Sequence, residues 1–140
     1  MAAAAVTGTT TFHEEVVGGS AAWEDDALRG RGLLFPTTWE ASDPRLSGTQ
    51  TIRANRDLYE RLRMQVLTGT SLLENDDGRW VGTAGHLGGA KLGETSTVVM
   101  HGEDAYEGLT AYVVMDLETQ PASFSAAIFP GDVPELPAAE

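Results

Sequence analysis

Gly, Pro or Asx clusters break this chain roughly every 8 to 12 residues, and the pieces between them are rich in Thr and Val. A helix that buries a face needs a longer uninterrupted run, so the spacing selects short β-strands. Candidate strands cover 5–12, 28–35, 37–42, 46–54, 61–74, 79–87, 95–102, 109–117 and 123–129. The breaks have specific chemistry. Ser42-Asp43-Pro44-Arg45 puts proline at the second turn position behind an Asx that can cap its own backbone, and Asn75-Asp76-Asp77-Gly78 ends in the Asp-Gly pair of tight hairpins. Both read as hairpin connections.

Alternation within the strands is incomplete. In 61–74 one parity carries Leu62, Met64, Val66, Thr68, Thr70 and Leu72, while the other mixes Arg61, Arg63, Gln65, Leu67, Gly69, Ser71 and Leu73. In 109–117 one face is Leu109, Ala111, Val113, Met115 and Leu117, and the other includes Thr110, Tyr112, Val114 and Asp116. A sheet with two partly buried faces gives this pattern, and glycines inside strands allow it to coil shut. The expected fold is therefore all-β: a single antiparallel β-barrel of about eight strands around a central apolar cavity. The helical spacing of Leu58, Leu62 and Val66 supports only a short helical turn near 56–60, because Thr68-Gly69-Thr70 continues as strand.

With 140 residues the chain suffices for one core, so a β-barrel domain over 1–131 is followed by an extended or disordered tail, 132–140. The prolines Pro130, Pro134 and Pro137 are expected to keep that end out of any ladder. Absence of Cys excludes thiol catalysis, iron–sulfur clusters and disulfides. The net charge of −12 argues against nucleic acid and anionic membranes, and after residue 70 the only cations are Arg79 and Lys91. The seven arginines upstream form either a small anion site or solvated partners for nearby carboxylates. The apolar run at the amino terminus, Met1 to Val6, is too short for a signal peptide or membrane span, so a cytoplasmic protein is expected.

The segment Gly102-Glu103-Asp104-Ala105-Tyr106-Glu107-Gly108-Leu109-Thr110-Ala111-Tyr112 follows the strand Thr97-Val98-Val99-Met100. It resembles the glycine–aromatic turn between late strands of dirigent and allene-oxide-cyclase-like barrels, with Asp104 where a glycine is usual. The order of Ser42-Asp43-Pro44-Arg45-Leu46-Ser47-Gly48 and Asp77-Gly78-Arg79-Trp80-Val81-Gly82 is similar too, over roughly residues 5–131. The resemblance extends to small bacterial members related to spirotetronate-type cyclases. It implies a cofactor-independent cyclase or isomerase, including [4+2] cyclisation, acting on a hydrophobic polyketide-like intermediate folded inside the lumen.

Such a reaction needs an apolar wall and one or two polar groups, since holding a flexible substrate in a reactive shape removes much of the barrier. Wall candidates are Trp39, Met64, Trp80, Met100, Met115 and Phe124, with Gln50 and His86 as polar contacts. Catalytic candidates are Tyr112 as hydroxyl donor, Arg63 to hold an oxyanion or carboxylate, Glu40 to orient it or act as base, and His101. Trp39 and Glu40 have opposite parity, and Trp39 is the one expected to point inward. The types of His13, Glu14, Glu15, His86 and His101 suit a metal, but no short ligand spacing is present and no metal is assigned. A lipocalin-like binding protein without catalysis is the alternative, and a purely structural or assembly domain the third. An outer stripe of Leu109, Val113 and Leu117 would favour a homodimer.

Overall fold

The computed structural model describes residues 3–13, 18–89 and 93–133. Nine strands are present: β1 (Ala4–Phe12), β2 (Ser20–Glu24), β3 (Ala27–Ala41), β4 (Gly48–Tyr59), β5 (Met64–Glu74), β6 (Gly78–Gly89), β7 (Gly93–Asp104), β8 (Leu109–Asp116) and β9 (Ala122–Pro130). They form one antiparallel sheet in the order β1-β9-β8-β7-β6-β5-β4-β3-β2, and β1 also pairs with β3, so eight strands close in a barrel-like ring. The all-β expectation holds.

β2 carries no buried residue and therefore leaves no alternation to read. It lies along β3 beyond the point where β1 ends: β1 pairs with Thr37 to Ala41 and β2 with Ala27 to Arg31. Segments 28–35 and 37–42 are one strand. The Pro36 carbonyl accepts from the His13 amide, so its missing N–H points to the same side, where the β1 ladder has ended. The expected helical turn at 56–60 is also replaced by strand, with Arg56 opposite Leu67 and Tyr59 opposite Met64. Its helical spacing was coincidental, since Leu58 faces inward, Leu62 sits in the turn and Val66 faces outward. At the other end Pro130 pairs with Leu109, against the expectation that proline ends the ladder there. The tail beyond residue 133 lies outside the described residues.

Inward parity reverses two expectations. On β5 the mixed face, with Leu67, Ser71 and Leu73, points inward, and the more apolar face of Met64, Val66 and Leu72 points out. On β8 the stripe Leu109, Val113 and Leu117 belongs to the interior and is no outer dimer face. Outer positions are themselves partly apolar, as Val81 and Val114 show, so parity alone could not decide.

Side chains fill the middle of the ring. Trp39, Leu73, Trp80, Met100 and Met115 are at most 1% exposed, and the Trp39 and Phe124 rings meet with centroids 4.9 Å apart. One end is sealed. A one-turn 3-10 helix at Pro44–Leu46 tucks Leu46 under the barrel, where Trp80 stacks on Tyr106 at 5.1 Å. The Asp104 turn leads into that aromatic with φ 58, a left-handed conformation that an aspartate tolerates in place of the usual glycine. The β4–β5 and β8–β9 connections lie at the opposite end, where open space is found.

Candidate functional site

At that open end the last inward positions of neighbouring strands form a ring: Leu28 opposite Leu58, Leu58 opposite Gln65, Gln65 opposite Gly88, and Gly88 opposite Glu94. Of these, Leu28, Leu58, Gln65 and Glu94, with Trp23, Tyr59, Glu60, Arg63, Met64 and Gly89, bound a cleft of about 470 Å³. That is within the size range of small-molecule sites, and its wall is mainly apolar. A second hollow of about 580 Å³ lies against Met115, Asp116, Glu118 and Phe124, and Glu94 stands in the walls of both.

The polar floor is a three-residue cluster. His86 is buried one ring deeper, and its Nδ1 lies 2.8 Å from the Thr95 carbonyl oxygen. A carbonyl only accepts, so Nδ1 carries the proton and donates. Nε2 then faces Glu94 Oε2 at 2.6 Å and Gln65 Nε2 at 3.3 Å. Gln65 Nε2 donates to the same Oε2 at 3.2 Å. The Glu94 side chain remains 29% exposed and borders both hollows. The cluster grows from the β6–β7 ladder itself, with His86 opposite Ser96 and Glu94 opposite Gly88.

An ion-pair network ties β2, and with it Trp23, to this rim. Arg29 donates to Asp57 at 2.9 Å, to the Tyr59 hydroxyl at 3.1 Å and to Glu24 at 3.2 Å, while Arg31 donates to Asp57 at 2.7 Å. The Arg31 hydrogen bond holds the Asp57 carboxyl below its ordinary range; burial, next in size, opposes it, and the Arg29 hydrogen bond adds to the lowering. Arg29 is raised in turn, first by Tyr59 and then by Asp57. Arg45 likewise lowers Asp43 at the sealed end. These three arginines are carboxylate partners, as one of the two readings of the arginine-rich half expected.

The residues singled out from sequence separate into four places. Trp39, Gln50, Met100, Met115 and Phe124 lie in the filled interior. Gln50 is fully used there, accepting from Trp39 Nε1 and Thr37 Oγ1 at 2.8 Å each and donating to Ser71 at 2.8 Å. Trp80 belongs to the sealed end, where its indole donates to the Arg45 carbonyl at 2.9 Å. Glu40, His101 and Tyr112 are on the outer wall, with Tyr112 39% exposed and His101 bonded to Thr110. Glu40 thus points away from Trp39, as their parity required. Arg63 and Met64 line the cleft, His86 lies next to Glu94 beneath it, and Met115 and Phe124 also border the second hollow; Arg63 sits in the β4–β5 turn with φ 49 instead of inside a strand.

Gln65, Glu94, Trp23, Leu28 and Leu58 were not singled out. Glu94 was findable only through the hairpin register that sets it two residues before the partner of His86. Among the described residues no three His, Asp or Glu side chains converge as metal ligands. No described helix is long and apolar enough to cross a membrane, which says nothing of strands. Comparison with family models, curated proteins and solved structures gives no match.

Proposed function

We propose that this barrel binds a small, largely apolar molecule in the cleft at its open end. The observation that carries this reading is the pairing of an apolar wall (Trp23, Leu28, Leu58 and Met64) with one compact polar floor of Gln65, His86 and Glu94. Apolar burial supplies affinity and the floor fixes one polar group of the guest. The outward placement of Glu40, His101 and Tyr112 favours binding over the catalytic use first expected of them. Acidic groups at the rim, Glu60, Glu94, Asp116 and Glu118, favour a neutral or cationic guest over an anion.

Titration with the uncharged fluorescent probe N-phenyl-1-naphthylamine tests this. Trp23 is 59% exposed whereas Trp39 and Trp80 are buried, so a guest in the cleft should alter Trp23 emission, and Trp23→Phe should remove that response. Met64→Glu, which puts a charge into the apolar wall from the outer rim, should weaken the probe at least tenfold. Equal binding by Met64→Glu overturns the reading.

A second reading keeps the resemblance to allene-oxide-cyclase-like barrels: a cofactor-independent cyclase or isomerase of a hydrophobic intermediate, with its reaction in the cleft and not in the filled centre. The His86–Glu94 pair favours it, because it provides a proton-transfer group beside an apolar surface.

A further inference from the structure

We infer that Glu94 is a general base, and that the substrate class is a neutral, mainly apolar molecule with a C–H bond acidified by a neighbouring carbonyl. This rests on the cleft being the binding site. The two oxygens of Glu94 are in different situations. Oε2 is held by His86 at 2.6 Å and by Gln65 at 3.2 Å, while Oε1 has no hydrogen-bond partner among the described residues and the side chain reaches the cleft. A carboxylate clamped through one oxygen has lost the rotational freedom that would let it drift from a reacting carbon, and its free oxygen keeps its lone pairs. His86 is anchored from behind by the Thr95 carbonyl, which fixes the position of its Nε2 against Glu94.

The clamp also depends on a missing side chain. A Cβ on Gly88 would overlap Glu94 Oε2 and approach His86 Nε2 to 2.7 Å. Glycine therefore leaves the space in which the carboxylate sits. Arg63, which lines the same cleft, is the cation available to a developing enolate oxygen.

The step balances without any redox partner. In a β,γ-unsaturated carbonyl compound, Oε1 of Glu94 takes the proton from the carbon next to the carbonyl, the C–H pair forms the enolate C=C as the carbonyl π pair moves onto oxygen, and the carbonyl re-forms as the proton returns to the γ carbon. The net change is a shifted double bond. His86 acts through Glu94 and is a positioning residue.

The test uses 5-nitrobenzisoxazole, a neutral aromatic probe for a base in an apolar site. Removal of its C3 proton forms the nitrile and breaks the ring N–O bond, releasing a coloured phenolate. We expect saturable turnover by the intact chain. Glu94→Gln should lower kcat by roughly 100-fold or more, within the range of a lost general base. His86→Gln should lower kcat at least tenfold with KM little changed. Acetate should restore turnover to Glu94→Ala, which a misfolded variant would not show. Turnover unaffected by Glu94→Gln, or naphthylamine binding without turnover, overturns the base and leaves the binding reading standing. Failure of the naphthylamine itself to bind removes the cleft reading first.

Discussion

The indole N–H of Trp39 donates to Gln50 Oε1 at 2.8 Å in the sealed centre of the ring, and the Thr37 hydroxyl donates to the same oxygen at 2.8 Å. One glutamine thus satisfies groups on β3 and, through its amide, Ser71 on β5. Buried polar groups of this kind contribute little net stability when paired but cost heavily when one partner is removed. Gln50→Leu, similar in volume, should destabilise by about 2–4 kcal/mol, because Trp39, Thr37 and Ser71 lose partners together. Urea unfolding would show a lowered midpoint at unchanged slope; a change below about 0.5 kcal/mol would mean the network relaxes onto other partners.

The sealed end has a similar hub. Asn75 donates to the Ser47 carbonyl at 2.9 Å and the Arg45 carbonyl at 3.2 Å, and its Oδ1 accepts from Tyr106 at 2.7 Å and from the Asp77 and Gly78 amides. Three connections meet on one side chain. Asn75→Ala should cost about 2–4 kcal/mol and Tyr106→Phe about 1–2 kcal/mol. The double variant should cost less than the sum, since both remove the same bond, and a thermodynamic cycle by denaturant titration measures that.

Most of the ring was legible because turn chemistry is local. Asp43 caps the Pro44 turn and Asn75 closes the turn to Gly78 through its own side chain, and eight of nine strands followed from such breaks. β2 was not legible, since its five residues are all exposed and its place is set by β3 and by the Arg29–Glu24 pair. The site was harder. Hydrophobic parity fails on a closed sheet whose outside also carries Val81, Val114 and Tyr112, so Met64 was placed in the lumen and the Leu109 stripe outside it. Polar residues inside strands were read as candidates one by one, but their roles depend on register. Gln50 and His86 share inward parity, yet one lies where side chains seal the centre and the other next to Glu94 at the rim. Nothing local to either residue encodes that difference.

Gly88 offers a more selective perturbation of the open end than any polar substitution. Its added Cβ in Gly88→Ala would displace the Glu94 carboxylate, the movable end of a side chain, while the backbone there has an ordinary conformation. The same Cβ also approaches the anchored His86 Nε2, so stability should fall by about 1–3 kcal/mol, the usual cost of overpacking. Turnover of 5-nitrobenzisoxazole should fall at least tenfold, because a reacting group moved by an ångström loses its alignment. Thermal unfolding and kcat measured on the same preparation separate the two effects. A variant with unchanged kcat would show that the clamped position of Glu94 is irrelevant.

Asp57 links pH to the attachment of β2. Arg31 and Arg29 hold its folded pKa below the unfolded value of about 3.9, so its contribution to stability is fully present above that value and is lost as pH falls through the lower, folded one. The pair is partly open to water, so the contribution at neutral pH should stay under about 1 kcal/mol. Asp57→Asn should therefore make a small change near pH 7 and flatten the stability curve below about pH 4, where the wild type loses the interaction. It should not abolish the slope, because Asp43 is lowered by Arg45 and titrates in the same direction. With Arg29 released from one of its partners, Trp23 on β2 should become more accessible to a neutral quencher such as acrylamide at pH 7, while Trp39 and Trp80 stay shielded. Quenching identical to wild type would mean that β2 is held by its ladder to β3 alone.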